Sequence, residues 1–328
     1  MTIFISIASY EDPFLINTIK SALDNASNPE DLFFGVCAQY KIIDEPDLSF
    51  LSKDKIQIIR YDPENRPGLY KIRAEIAALH TDQDYFFQID SHTWFIKGWD
   101  EILIKEYKEC QKQAGHDKVV LANMVRFSLS YDPKTVKSVG MNFYDKDIEN
   151  NDVGILFLLA DGGGSMQKNY RFLSTPAFQA GSLFSSGSYL KEVGHNKYMQ
   201  FMGEQAYQSF ATFMSGWDVY QPLISPIYHN NKEYKHILQQ KNIPLTYQSN
   251  NIANSTLNLV FLNLAFLYND YSIYKINNAV RKPIDFWFSL GLEKQYKERL
   301  FIVDKILNGG FLQSNILFMD HFPHYKID

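Results

Sequence analysis

The chain opens with short apolar runs separated by segments of helical period. Thr2–Ala8 is a β-type run, and Ser9-Tyr10-Glu11-Asp12-Pro13 supplies turn residues with proline placed to start a helix. The spacing of Leu15, Ile19, Ala22 and Leu23 predicts a helix over Phe14–Asn25, ended by Asn28-Pro29. Leu32–Ala38, Ile56–Tyr61 and Tyr85–Asp90 read as further strands, with a helix over Leu69–Thr81 between the last two. A helix over Trp99–Gln113 and a strand over Lys118–Ala122 continue the alternation. Strands alternating with helices indicate an α/β domain with a mostly parallel sheet covered on both faces.

From Ser128 to Thr175 the pattern loses regularity, and Asp161-Gly162-Gly163-Gly164-Ser165 has no following Gly-Lys-Ser/Thr, which excludes a P-loop. That glycine run is either a lid or acceptor loop or an ordinary linker. Phe178–Ser185 reads as a strand, Glu204–Ser215 as a helix, and Val219–Tyr228 as an extended run broken by Pro222 and Pro226. Helical periods without strand alternation then take over in Lys232–Ile243, Ile252–Tyr268 and Asp285–Leu307. These patterns divide the chain into an α/β domain, residues 1–234, and a helical C-terminal region, residues 235–328. The apolar segment Leu257–Tyr268 either packs on the first domain or pairs two copies as a homodimer.

Composition narrows the classes. A formal net charge of -5 opposes a general nucleic-acid binder, because neutralising phosphates needs a basic field. Two cysteines make no disulfide framework. Leu257–Tyr268 is too short to span a bilayer, and Met1–Ala8 has no basic leader, so no transmembrane segment and a cytoplasmic location are expected.

Candidate chemistry gathers at Gln88-Ile89-Asp90-Ser91-His92. Residues i and i+2 of an extended chain point to the same side, so Asp90 and His92 can face one divalent cation; the alternative is a strand-end aspartate capping a turn beside a surface histidine. Ligands of open α/β sheets lie beyond the carboxyl ends of strands, where Ser9, Gln39 and Asp90 all fall. Arg66 and Arg73 flank a turn and the first turns of a helix, and arginine suits phosphate. Glu204 opens a helix, where it either serves the helix dipole or contacts a ligand; His229 closes an extended run, as a metal ligand or a structural histidine.

In this order and at these separations, Arg66-x-Gly68-Leu69-x-x-x-Arg73, Asp90-Ser91-His92, Gly203-Glu204 and His229 resemble the catalytic domain of the polypeptide N-acetylgalactosaminyltransferases. The chain is more similar still to glycosyltransferase family 60, the Skp1-type N-acetylglucosaminyltransferases. That likeness is carried by Ile5-Ser6-Ile7-Ala8-Ser9-Tyr10-x-Asp12-Pro13, Phe34-Gly35-Val36-Cys37-x-Gln39, Tyr85-Phe86-x-Gln88 to His92, Gly98-Trp99-Asp100 and Phe201-x-Gly203-Glu204. It differs from that pattern at Glu11, Ala38 and Gln205. The resemblance implies a GT-A nucleotide-sugar transferase fold, with Asp90, His92 and His229 holding Mn²⁺ or Mg²⁺ against the diphosphate of UDP-GlcNAc. Nitrogen ligands favour Mn²⁺. It further implies that Ala8, Ser9, Tyr10, Gln39, Arg66, Arg73 and Ser91 bind the donor, and that Gln179–Phe184 and the glycine run line the acceptor side. Configuration at the anomeric carbon is implied to be retained. Glu204 then contacts the sugar or the hydroxyl of a protein or glycan acceptor. Transfer of another sugar into a surface polysaccharide uses the same site, and a non-catalytic UDP-sugar-binding protein stays open as a third reading.

Overall fold

The computed structural model describes residues 1–41, 44–64, 67–122, 124–126, 142–147, 156–161, 176, 181–198, 204–230, 236, 240, 265–269, 274–294, 296, 297 and 300. In chain order the elements are β1 (Ile3–Tyr10), α1 (Leu15–Asn25), β2 (Leu32–Gln39), β3 (Ile56–Tyr61), α2 (Leu69–Ala77), β4 (Tyr85–Asp90), β5 (Thr93–Phe95), α3 (Trp99–Ala114), β6 (Val119–Ala122) and β7 (Val125–Arg126). Next come β8 (Asn142–Asp147), β9 (Leu156–Asp161), β10 (Ser182–Ser186), α4 (Ser188–Glu192), α5 (Glu204–Met214), β11 (Asp218–Tyr220), β12 (Ile227–His229) and α6 (Pro283–Ser289).

A seven-stranded sheet with the order β11-β6-β10-β4-β1-β2-β3 forms the middle layer. Only β10 runs against its neighbours, pairing antiparallel with both β4 and β6. The strands are apolar on both faces because both faces are covered. Ile3, Ile5 and Ile7 of β1 pack with Phe34, Phe87 and Ile89 against Leu15 and Ile19 of α1 and Trp99, Leu103 and Tyr107 of α3. Phe4, Cys37, Phe86 and Val120 face the other way, onto Ile72 and Ile76 of α2 and Tyr189 of α4. Gly35 is required by this second layer: a Cβ there would lie 2.3 Å from the Phe4 ring and 2.8 Å from Ile76. Burial pushes the Cys37 thiol up to about 12 and raises Cys110 as well, so both are inert packing groups.

The expected α/β architecture is therefore present, with β3 and β4 at their expected bounds. Four strands depart from the sequence reading. β5 and β7 are too short to carry a periodic signal and exist because both pair with β12. β8 and β9 form a two-stranded antiparallel ribbon inside the stretch that reads as irregular. The Asn142–Asp147 strand lacks alternation, so its pairing with Leu156–Asp161 is what defines it. The Gly98-Trp99-Asp100 motif is structural. Trp99 Nε1 donates to Ala22 O at 2.9 Å, and the Asp100 carboxylate accepts the backbone N–H groups of Ser27 and Asn28 at 2.8 and 2.9 Å.

The described C-terminal residues pack within the chain. Ala265, Phe266, Leu267, Tyr274, Phe286 and Trp287 share one buried cluster with Ala206, Tyr207, Phe210 and Met214 of α5. The described part of the Leu257–Tyr268 segment thus uses its apolar face internally; most of that segment, most of Lys232–Ile243 and the end of Asp285–Leu307 lie outside the described residues. Among the described residues no helix is long and apolar enough to cross a membrane.

Candidate active site

Parallel pairing sets β1, β2 and β4 side by side with their carboxyl ends aligned: Tyr10 is opposite Gln39, and Ala8 is opposite both Cys37 and Asp90. Ala8, Ser9, Tyr10 and Gln39 thereby share one edge of the sheet with Asp90. Ser9 and Gln39 are buried, and their polar groups are tied together. The Ser9 hydroxyl meets Tyr40 Oη at 2.5 Å, Tyr40 Oη donates to Asp12 O at 2.8 Å, and Gln39 Nε2 donates to Ser9 O at 3.4 Å.

Beyond β4 the chain turns through Ser91 and His92 into β5. Thr18 of α1 fixes that turn, donating through Oγ1 to Ser91 O at 2.7 Å and accepting the Thr93 N–H at 3.0 Å. β5 then pairs antiparallel with β12, Thr93 opposite His229, and Asn230 N donates to His92 O at 3.0 Å. This pairing carries His229 to a point where its ring centroid lies 4.4 Å from that of His92.

The result is a compact donor set. His229 Nε2 is 2.9 Å from Asp90 Oδ2, and ligand atoms of Asp90, His92 and His229 all lie within 4.8 Å of one another. One carboxylate and two imidazoles at that separation fit a transition metal, whose bonds to nitrogen and oxygen are about 2.0–2.2 Å long. Arg73, buried on α2, places Nη2 3.1 Å from Asp90 Oδ1. Burial alone would raise the Asp90 carboxyl; the hydrogen bond and charge of His229, with Arg73 and His92 beside it, overcome this and hold it at about 2. Asp90 is thus a carboxylate at any working pH.

Two further residues shape the set. Gly181, just before β10, faces the same carboxylate: a Cβ there would stand 3.0 Å from Asp90 Oδ2. Behind Arg73, His195 is half-buried, with Nε2 2.5 Å from Gln88 Oε1 and its ring stacked on Tyr70. Burial, reinforced by Arg73, pulls His195 down to about 3, so it is neutral.

The structure therefore brings Asp90, His92 and His229 together, with Arg73 on Asp90, Ser91 between them and the Ala8–Gln39 edge alongside. Glu204 is the first residue of α5. Arg66, the glycine run Gly162–Gly164, and Gln179 and Ala180 lie outside the described residues. Sequence reasoning gave no role to Thr18, Tyr40 or His195, and placed Gly181 only within the acceptor-side run Gln179–Phe184, not against Asp90.

Comparison with known proteins follows the same direction. No curated protein sequence matches the chain. Among solved structures, GalNAc-T7 with UDP, GalNAc and Mn²⁺ is similar at a TM-score of 0.56 and 13% identity, over 92% of this chain and 55% of that one. Staphylococcus aureus TarS is similar at a TM-score of 0.52 and 9% identity, over 90% of this chain and 43% of that one. TarS 1–349 in complex with UDP-GlcNAc gives 0.52 and 10%, over 95% and 75%. The chain thus spans about half of the full GalNAc-T7 and TarS chains, and at these identities the likeness establishes a GT-A type fold. A sequence model of one family, Glycosyltransferase (GlcNAc), matches residues 2–75 and 48–262. With most of its length covered by that match, the chain belongs to the glycosyltransferase (GlcNAc) family.

Proposed function

We propose that the chain is a metal-dependent retaining transferase that moves N-acetylglucosamine from UDP-GlcNAc to a hydroxyl of a protein or glycan. The observation that carries this reading is the Asp90–His92–His229 donor set at the carboxyl edge of the sheet. It is supported by the family match and by the UDP, GalNAc and Mn²⁺ of the GalNAc-T7 structure and the UDP-GlcNAc of TarS 1–349. The closer kinship with family 60 belongs to the same reading, as does the division into residues 1–234 and 235–328.

In it, Asp90, His92 and His229 hold Mn²⁺. A bound divalent ion supplies Lewis-acid neutralisation of the charge that gathers on the leaving diphosphate. Ala8, Ser9, Tyr10 and Gln39 form the nucleoside pocket, with Ser9 held in place by Tyr40. Arg73 holds Asp90 from behind, while Arg66 and Ser91 stand on the donor side. The acceptor hydroxyl attacks from the face the diphosphate leaves and gives its proton to the departing phosphate oxygen, so no dedicated base is needed. Glu204 binds the sugar or the acceptor hydroxyl.

The test is release of UDP from UDP-GlcNAc with and without Mn²⁺, in the wild type and in Asp90→Ala. Turnover dependent on Mn²⁺, falling by about three decades in the variant, is expected, which corresponds to about 4 kcal/mol of transition-state stabilisation. Metal-independent turnover, or full activity in Asp90→Ala, would sink the reading.

A further inference from the structure

Resting on the metal-site reading, we infer that Asp12 is a positioning residue of the metal centre: it fixes the ring tautomer and direction of His92. Asp12 lies in the loop between β1 and α1, its carboxylate fully buried. Its two oxygens divide their work. Oδ1 accepts the backbone N–H of Phe14 at 2.9 Å, closing a local turn just ahead of α1. Oδ2 accepts the Ser91 hydroxyl at 2.5 Å and His92 Nδ1 at 2.7 Å.

A buried carboxylate is tolerable only when it is well hydrogen-bonded, and these three donors occupy three of its roughly four lone-pair sites. That local turn needs only Oδ1. The second oxygen is spent on the Asp90-Ser91-His92 triplet, which indicates a role toward that triplet. Because a carboxylate can only accept, the hydrogen on His92 must be on Nδ1. Nε2 is then left with its lone pair, as metal ligation requires, and a carboxylate on the far nitrogen increases ligand basicity.

The loop is built to deliver this group. Glu11 takes φ 45°, a left-handed value unusual for a side-chain-bearing residue, and its N–H is held by Gln39 O at 3.0 Å. Tyr40 Oη then donates to Asp12 O. The same network holds Ser9, so His92 is braced by residues of the nucleoside edge.

Asp12→Asn tests this with little change of shape. The amide can present Nδ2 to His92 Nδ1, which forces the hydrogen onto Nε2 and blocks ligation. Three measurements separate the possibilities: Mn²⁺ binding to the nucleotide-free protein by electron paramagnetic resonance, the His92 tautomer by ¹⁵N NMR, and the melting temperature. Wild type should show the Nδ1–H tautomer. Asp12→Asn should switch it and weaken Mn²⁺ binding about 10- to 100-fold, while melting within a few degrees of wild type. Unchanged Mn²⁺ affinity in Asp12→Asn, or an Nε2–H tautomer in the wild type, overturns the inference. The wild-type tautomer decides the matter even if the variant fails to fold. Asp90→Ala is the control: wild-type Mn²⁺ affinity there removes the metal-site reading, whereas its loss beside an unaffected Asp12→Asn removes only the role of Asp12.

Discussion

Two buried regions of this molecule are held together in opposite ways. At the carboxyl edge of the sheet, Asp12, Arg73, Asp90, Ser91, His92 and His229 are linked by directional hydrogen bonds and ion pairs. Around α5, Phe210, Phe266, Phe286 and Trp287 meet through ring faces and edges, with centroids 4.8 Å apart for Phe210 and Phe266 and 5.2 Å for Phe210 and Phe286. The first region depends on direction and charge, the second on volume. An isosteric change should therefore be severe at the site and mild in the aromatic cluster, and a change of volume should act the other way round.

The largest stability effect is expected in the cluster. Phe286 is fully buried between Phe210, Phe213 and Phe266, so Phe286→Ala should cost about 3–5 kcal/mol in urea unfolding, and Phe286→Leu a good deal less. Equal losses for the two variants would show that the cluster is not governed by volume. Gly181→Ala probes the site in the middle of the range. Its methyl presses on Asp90 Oδ2 from 3.0 Å and must displace the carboxylate by a few tenths of an ångström. Transferase activity should fall about 10- to 100-fold with little change in melting temperature, because misplacement at a reacting centre costs far more than it does in packing. Full activity in Gly181→Ala would show that the donor set is not geometrically constrained.

The smallest effect concerns pH. His195 is neutral when folded, whereas the unfolded chain protonates it below its ordinary value of 6.5. The folded pKa is the depressed one, so this contribution to stability is fully present above pH 6.5 and declines as pH falls toward about 3. The decline is up to about 1.4 kcal/mol per pH unit, one proton's worth. In His195→Gln the slope of unfolding free energy against pH over that window should be shallower by about one proton. An identical slope would show that the histidine titrates alike in both states.

Legibility in the sequence followed the same division. β1, β2 and β4 were readable because strands buried on both faces become largely apolar runs, such as Ile3-Phe4-Ile5 and Tyr85-Phe86-Phe87. Asp90 and His92 were readable as a pair because extended spacing alone puts them on one side. His229 could be read from its own surroundings equally as a ligand or a structural histidine, since its arrival depends on β5 and β12, three residues each, whose pairing has no local signature. Asp12 belonged to a recognisable motif without a visible task, because the task is a contact with residues about 80 positions later. The single antiparallel strand β10 was readable as a strand and not as reversed, since direction is a property of the sheet.

The separation of 139 residues between Asp90 and His229 also bears on how the enzyme is made. Synthesis proceeds from the amino terminus, so β1, α1, β2, β3, α2 and β4 can assemble on the ribosome well before β12 exists. Throughout that interval Asp90 and His92 are one ligand short, and the third comes only when residues 227–229 emerge to pair with β5. A prematurely terminated product lacking that strand retains much of the sheet yet has only two members of the donor set. The candidate donor set is thus complete only once translation has passed residue 229.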